Sequence, residues 1–267
     1  MRLKRFSLKI SKKILPFTKT IKVDADKSIS IRSFLIAAIS QNISVARNIL
    51  ESDDVFSTIN CLKKLGVKIK KLKSKHYLIY GKGLGSLNLK KNAKLNFGNS
   101  GTLARLLIGI LSTTPGITVN ISGDHSLNKR SMKKLIYLMT KFGAFFLPKT
   151  KFNFPLKLIS SEMPVGINYN AGVSAQLKSA VLLAGLNSYG NTIINETQKS
   201  RDHTENMLLR NPQVIKIKNN KKKIIKILGK KYLNAVKVDV PNDPSSAAFF
   251  TALTLVNKNS TIIIKNV

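Results

Sequence analysis

The 267-residue chain has few cysteines, no tryptophan, few acidic residues and no long apolar run. Its single cysteine, Cys61, excludes an internal disulfide and a cysteine-based metal site, and it fits a reducing compartment. No run of about 18 apolar residues occurs, so we expect no membrane-spanning helix. The basic N-terminus Met1–Phe6 is not followed by an apolar stretch of signal-peptide length. These absences lead us to expect a cytoplasmic protein.

Acidic residues number only 12 against 46 basic ones, so the formal net charge is +34. A basic face that binds nucleic acid is one interpretation of this charge. Only 8 of the basic residues are arginine, the usual residue of base readout, and aromatic residues are not interleaved with the basic runs. We therefore expect no nucleic-acid binding, and we interpret the positive field as one that attracts small anionic substrates.

One order of elements recurs along the chain: an apolar helix, a strand, a second helix and a hairpin. Serines at positions 28, 100, 174 and 245 open the first helices, at spacings of 72, 74 and 71 residues. The second helices, of which Lys129–Phe142 and Asp202–Arg210 are two, end near residues 66, 143 and 211. A unit of this length is too long for a solenoid repeat. The pattern predicts an α/β fold of repeated βαβαββ units.

The repeats also predict the domain organisation. Residues 23–240 hold three complete repeats, which we interpret as one complete domain. Residues 1–22 and 241–267 are interpreted as part of another domain, because the fourth unit has its first helix and strand only. We expect a monomer that another polypeptide segment completes, such as a C-terminal fragment.

Each repeat places its distinctive polar residues where its first helix begins. These are Lys27, Ser28 and Arg32 in the first repeat, the segment Gly98–Arg105 in the second, and Ser174–Lys178 in the third. Free backbone N–H groups and the helix dipole favour anions at such positions. Lysine adds a point charge, and arginine adds a planar fork that fits phosphate or carboxylate. The alternative is ordinary helix capping, with Gln176 and Lys178 on a helix surface.

The second helices contribute Arg130 and the segment Ser200–Glu205. Ser200 and Asp202 are capping candidates, Glu205 fits a capping box, and His203 is interpreted as a local hydrogen-bonding residue. Gly81–Gly85 is not followed by a helix, so we interpret it as a connection and not as a phosphate-binding loop. No nucleophile triad or metal-ligand set stands out.

Six segments together resemble the EPSP synthases (3-phosphoshikimate 1-carboxyvinyltransferases) of the enolpyruvyl transferase family. They are Asp26–Arg32, Gly98–Arg105, Gly123–Arg130, Ser174–Ala180, Ser200–Glu205 and Asp243–Ala248. The related transferase that acts on UDP-N-acetylglucosamine is the alternative. That enzyme has Lys-Asn where this chain has Lys27-Ser28, and it uses a reactive loop cysteine, which Cys61 in an apolar helix face does not resemble.

The resemblance implies an inside-out α/β barrel and transfer of the enolpyruvyl group of phosphoenolpyruvate to the 5-hydroxyl of shikimate 3-phosphate, through a tetrahedral intermediate and without metal or organic cofactor. It implies that Lys27 contacts both substrates and serves proton transfer. The implied shikimate 3-phosphate ligands are Lys27, Ser28, Arg32, Ser174, Ala175, Gln176, Ser200 and Arg201. The implied phosphoenolpyruvate ligands are Lys27, Asn99, Gly101, Arg130 and Gln176.

The family chain extends well beyond residue 267, and the resemblance places the catalytic aspartate in the part beyond. Two alternatives follow. The chain is the N-terminal part of an active transferase, or it is an inactive remnant that only binds shikimate 3-phosphate. Arg105, although it belongs to the second cluster, is expected to be structural.

Overall fold

The computed structural model describes residues 7, 9, 13–90, 93–219 and 222–267. The chain divides into two compact units. The larger unit is Asp26–Val240, and the smaller one combines the residues that precede it with Pro241–Val267. Most of the predicted N-terminal segment before residue 13 lies outside the described residues.

The larger unit contains helices and strands in the order that the repeats predict. Its helices are α1 (Lys27–Ile39), α2 (Asp53–Lys64), α3 (Gly101–Ser112), α4 (His125–Lys129), α5 (Lys133–Lys141), α6 (Ala175–Leu186) and α7 (His203–Leu208). Its strands are β2 (Ile43–Arg47), β3 (Lys68–Lys73), β4 (His76–Tyr80), β5 (Lys94–Asn96), β6 (Thr118–Ser122), β7 (Phe145–Leu147), β8 (Leu156–Ile159), β9 (Asn168–Ala171), β10 (Asn191–Glu196), β11 (Ile215–Asn219), β12 (Lys223–Leu228) and β13 (Lys237–Asp239).

These strands form three four-stranded sheets of one design. The strand orders are β13-β2-β4-β3, β5-β6-β8-β7 and β9-β10-β12-β11. In each sheet the first two strands are parallel, and an antiparallel hairpin completes the sheet. The first sheet takes its outer parallel strand from β13, at the far end of the unit. The unit is therefore closed by its own C-terminal strand.

The first helices of the repeats, α1, α3 and α6, form the interior of the unit. Most of their residues are apolar, and most are buried, as expected for interior helices. Helices α3 and α6 pack closely because Gly109 has no side chain. A Cβ atom there would lie 2.5 Å from the backbone oxygen of Ala180. The sheets lie outside these helices, so the α/β fold of repeated units is confirmed.

The second helices are amphipathic and pack one face on the interior. One sequence prediction is wrong here, because the segment 129–142 is not one helix. It is divided into α4 and α5 by the extended backbone of Arg130. The amide of Met132 donates to the carbonyl of Phe152, a bond that draws the chain out of helical geometry. Helix α4 is capped by Asp124, the residue before it, whose carboxylate accepts the Leu127 amide at 2.7 Å.

The smaller unit is described by β1 (Thr18–Ile21), α8 (Pro244–Val256) and β14 (Thr261–Ile264). Strands β1 and β14 pair in parallel. Helix α8 is apolar, yet Ala247 is its buried residue and Phe249 is 78% exposed. Large exposed apolar faces of this kind are typical of surfaces that another polypeptide segment covers. Among the described residues no helix is long and apolar enough to cross a membrane.

Candidate active site

The N-terminal ends of the three interior helices lie close together. The side-chain amide of Gln176, in the first turn of α6, donates to Thr102 Oγ1 in the first turn of α3 at 3.1 Å. Arg32 of α1 donates to Ser179 Oγ of α6 at 3.2 Å. The free N–H groups and positive dipole ends of three helices therefore lie at one end of the unit.

The three helix starts are capped in the same way. Asp26, Ser100 and Ser174 each accept the backbone amide three residues ahead, at 2.7, 3.2 and 3.4 Å. In the first repeat the cap is thus Asp26, and the prediction that Ser28 opens the helix is wrong by two residues. A carboxylate at the N-cap also interacts favourably with the positive end of the helix dipole, which explains why Asp26 and not Ser28 caps the helix. Ser28 lies within the first turn, one residue after Lys27.

Lys27 extends from the first residue of α1. Its Nζ lies 3.0 Å from Asp54 Oδ2 in the first turn of α2, and half of its side chain is exposed. The ion pair is exposed enough to contribute little stability. Lys27 is therefore held near the helix starts while its ammonium group stays accessible.

Arg32 is 3% exposed, which is unusual for a guanidinium group. Its Nε donates to Thr204 Oγ1 at 2.9 Å, its Nη1 to the carbonyl of Ser28 at 3.0 Å, and its Nη2 to Ser179. Two of its five N–H groups have no partner among the described residues. Burial, together with the positive charge of Arg201, lowers the pKa of Arg32 to about 10, against the attraction of Asp26. An anion would relieve this unfavourable burial.

A second pair of arginines lies at the start of α3. Arg130 Nη2 donates to Asn99 Oδ1 at 2.8 Å, and Arg105 Nη1 donates to the carbonyl of Gly101 at 3.0 Å. A Cβ atom on Gly101 would lie 2.8 Å from Arg105 Nη1 and 3.3 Å from Arg130 Nη1. Burial and the neighbouring Arg130 both lower the pKa of Arg105. Two like charges at a helix start make a binding place for an anion.

The segment Ser200–Glu205 joins the site through the loop before α7. The amide and the hydroxyl of Ser200 both donate to Glu196 Oε1, each at 2.9 Å. In this arrangement Ser200 offers no proton to a ligand, whereas Arg201 is exposed and acts electrostatically on Arg32. His203 Nδ1 is buried without a hydrogen-bond partner among the described residues. Burial, with help from Arg32, lowers the pKa of His203.

A buried group of charges that was not predicted from the sequence lies beneath this loop. Lys178 Nζ lies 2.7 Å from Glu196 Oε1 and 2.6 Å from Glu205 Oε1. Lys178 is therefore not on a helix surface, and Glu205 is buried against Lys178, so the capping-box prediction is wrong. The signal in the sequence was a lysine among the apolar residues of α6, but only packing supplies its partners.

Cys61 lies in α2 and is 1% exposed. Its thiol donates to the carbonyl of Asn96 at 3.3 Å, and burial raises its pKa to about 12. A buried, protonated thiol is a poor nucleophile. The expectation that Cys61 is not a reactive loop cysteine is confirmed.

Comparison with known sequences gives a consistent result. The family model described as EPSP synthase (3-phosphoshikimate 1-carboxyvinyltransferase) matches residues 11–267. A 3-phosphoshikimate 1-carboxyvinyltransferase of Bacillus subtilis is 40% identical over 248 residues, which cover 92% of this chain and 56% of the relative. One of Syntrophomonas wolfei is 36% identical over 260 residues, which cover 97% of this chain and 59% of the relative.

A solved structure of EPSP synthase from Acinetobacter baumannii matches with a TM-score of 0.82 and 33% sequence identity. The match covers 94% of this chain and 56% of that one. The chain thus spans between 56% and 59% of the length of these three proteins. The chain therefore resembles these proteins over nearly all of its own length, in sequence and, for the solved structure, in fold. By these matches, the chain belongs to the EPSP synthase (3-phosphoshikimate 1-carboxyvinyltransferase) family.

Proposed function

We propose that this chain belongs to an enzyme that transfers the enolpyruvyl group of phosphoenolpyruvate to the 5-hydroxyl of shikimate 3-phosphate and releases phosphate. The observation that carries the proposal is the convergence of three interior helix starts with Lys27, Arg32 and Arg130. This end of the larger unit can bind two phosphorylated substrates, because each needs several N–H donors and positive charges. Family membership supports the same reaction.

Each substrate is assigned to one of two places, the first at Arg32 and the second at the pair Arg105 and Arg130. Shikimate 3-phosphate binds near Arg32, and its ligands are Lys27, Ser28, Arg32, Ser174, Ala175, Gln176 and the segment Ser200–Arg201. Phosphoenolpyruvate binds at the start of α3, and its ligands are Lys27, Asn99, Gly101, Arg130 and Gln176. Of the segment Ser200–Arg201, we favour Arg201 as the direct ligand, because the Ser200 donors are bound to Glu196. The position of Arg105 supports adding it to the phosphoenolpyruvate ligands.

The proposed reaction has two steps. In the addition, the 5-hydroxyl oxygen bonds to C2 of phosphoenolpyruvate, the hydroxyl loses its proton, and C3 gains one. In the elimination, the bond between C2 and the phosphate oxygen breaks, phosphate leaves, and C3 loses a proton. Lys27 is a proposed ligand of both substrates and half of its side chain is exposed, so it can stabilise the charge and take part in proton transfer.

Two assays test the proposal. Calorimetry with shikimate 3-phosphate compares the wild-type chain with Lys27→Ala, and we expect the variant to bind at least tenfold more weakly, since a charged contact is worth about 1.5–3 kcal/mol. Unchanged affinity would remove Lys27 from the site. Phosphate release is then measured with both substrates, for the chain alone and with the C-terminal part of a relative added.

The second assay separates two candidates. The exposed apolar face of α8 and the partial coverage of the relatives support an enzyme that needs further polypeptide. Turnover only with the added part supports that candidate, whereas binding without turnover in either condition supports a protein that only binds shikimate 3-phosphate. We further propose that Asp26–Val240 is one domain of three repeats and that the smaller unit belongs to a second domain. The monomeric state and the cytoplasmic location stay predictions.

A further inference from the structure

Three buried side chains form an ion cluster next to the proposed shikimate 3-phosphate subsite. Lys178, Glu196 and Glu205 have side chains that are 0%, 2% and 1% exposed. They come from α6, β10 and α7, and Lys223 of β12 lies 3.4 Å from Glu196 Oε2. The cluster therefore joins four elements that are distant in sequence.

The energetics do not favour a purely stabilising role for this cluster. Removing an ion from water costs several kcal/mol even after relaxation, and apolar residues of similar volume often serve a protein interior as well or better. The chain has 46 lysines and arginines, and among those that the structure describes most lie at the surface, yet Lys178 is completely buried. A buried ion cluster is better explained if it holds neighbouring residues in a defined geometry.

The cluster and the residues next to it in sequence form hydrogen bonds with residues of the proposed subsite. Glu196 Oε1 accepts both donors of Ser200, the residue before Arg201. Ser179, which follows Lys178, and Thr204, which precedes Glu205, both accept from Arg32. The Thr204 hydroxyl also donates to Ser179 at 2.8 Å. Arg32 and Ser200, the residue before Arg201, thus both contact this set of buried side chains.

We propose that Lys178, Glu196 and Glu205 are positioning residues that hold Arg201 beside Arg32 and so set the affinity for the phosphate group of shikimate 3-phosphate. This inference rests on the proposed function. Lys178 fixes the Glu196 carboxylate, Glu196 fixes Ser200, and Ser200 fixes the loop that carries Arg201. None of the three buried residues contacts the ligand itself.

Glu196→Ala is the first variant for the test. It removes the acceptor of both Ser200 donors, while Lys178 keeps Glu205 as a partner and Lys223 is accessible enough to be hydrated. Glu196→Gln keeps an acceptor oxygen of the same shape. The matched control is Glu162→Ala, which also removes a carboxylate that accepts a backbone amide, that of Gly116 at 2.9 Å beyond the C-terminal end of α3.

Calorimetry on the full chain compares shikimate 3-phosphate with shikimate, which lacks the phosphate. For Glu196→Ala we expect about a tenfold loss of affinity for shikimate 3-phosphate and less than a twofold change for shikimate, because only the phosphate contact is displaced. Glu196→Gln should stay within about threefold of the wild type, since its amide oxygen still accepts from Ser200. An equal loss for both ligands would show general loosening and would overturn the proposal.

A double-mutant cycle with Arg201→Ala tests whether Glu196 affects the affinity for shikimate 3-phosphate through Arg201. If Glu196 acts through Arg201, then Glu196→Ala should cause no further loss in the Arg201→Ala background. Additive losses would overturn the proposal. Glu162→Ala should change neither affinity, with or without Arg201.

Hydrogen exchange gives a readout that needs no ligand. The Ser200 amide should lose its protection in Glu196→Ala and keep it in Glu162→Ala, because Glu196 is its acceptor. Unchanged protection in Glu196→Ala would overturn the positioning role whatever the binding results. If the wild-type chain bound neither ligand, the proposed function would fail, and the exchange experiment would still decide whether Glu196 holds the loop.

Discussion

Arg32→Met separates the stability of the fold from the binding of the ligand. Burial lowers the pKa of Arg32 from its ordinary value to about 10, which corresponds to roughly 3 kcal/mol against the charged form. Methionine removes that penalty and also removes three hydrogen bonds, to Thr204, Ser28 and Ser179, worth about 1–2 kcal/mol each. The two effects partly offset each other. We expect the free energy of unfolding to fall by no more than about 3 kcal/mol.

The effect of the same substitution on binding should be larger. Two N–H groups of Arg32 are available for a phosphate, and each charge-assisted hydrogen bond is worth about 1.5–3 kcal/mol. Losing both should weaken the binding of shikimate 3-phosphate by about a thousandfold, which is roughly 4 kcal/mol. Urea unfolding measures the first quantity and calorimetry the second.

Arg47→Met is the control for this experiment. Arg47 also donates from Nε, to His76 Nε2 at 2.9 Å, but it lies in β2 and its side chain is 43% exposed. We expect this control to leave the affinity unchanged. A contact between Arg32 and the phosphate group is refuted if Arg32→Met binds shikimate 3-phosphate within threefold of the wild type, or if Arg47→Met loses as much affinity.

Three further predictions concern the helix starts and the loop before α7. Lys27→Met should reduce turnover in the completed enzyme at least a hundredfold and reduce the free energy of unfolding by less than about 1 kcal/mol, as phosphate release and urea unfolding would show. Gly101→Ala should weaken phosphoenolpyruvate binding without unfolding the chain, because its Cβ meets only the flexible ends of Arg105 and Arg130; unaltered affinity by calorimetry would contradict this. The pKa of His203 is lowered in the folded state, so stability should fall as pH drops below about 6.5, and His203→Gln should flatten this dependence in urea titrations.

The repeat and the distinctive polar residues at the helix starts can be identified from the sequence alone. Both are local properties, since capping residues, apolar helix faces and hairpin turns are defined within a few residues of the chain. The predicted order of first helix, strand, second helix and hairpin is the order found in the larger unit. The arginines at positions 32, 105 and 130 could be identified because the chain otherwise uses lysine.

The predicted structural role of Arg105 stays a prediction. Its hydrogen bond to the carbonyl of Gly101 is compatible with that role, but nothing in the sequence says that Arg130 approaches the same helix start. The break between α4 and α5 was missed for a similar reason. It depends on Phe152, twenty residues after Met132, whose carbonyl accepts the Met132 amide.

The closure of the unit and the buried contacts beneath the site become visible in the folded chain and not before. Strand β13 completes the first sheet from nearly 200 residues away, and a strand of three residues gives no sign in the sequence of which partner it takes. Lys178, Glu196 and Glu205 appear in the sequence as ordinary surface or capping residues. Burial and the partners that come with it are non-local, so these charges could be recognised as one cluster only after α6, β10 and α7 were packed together.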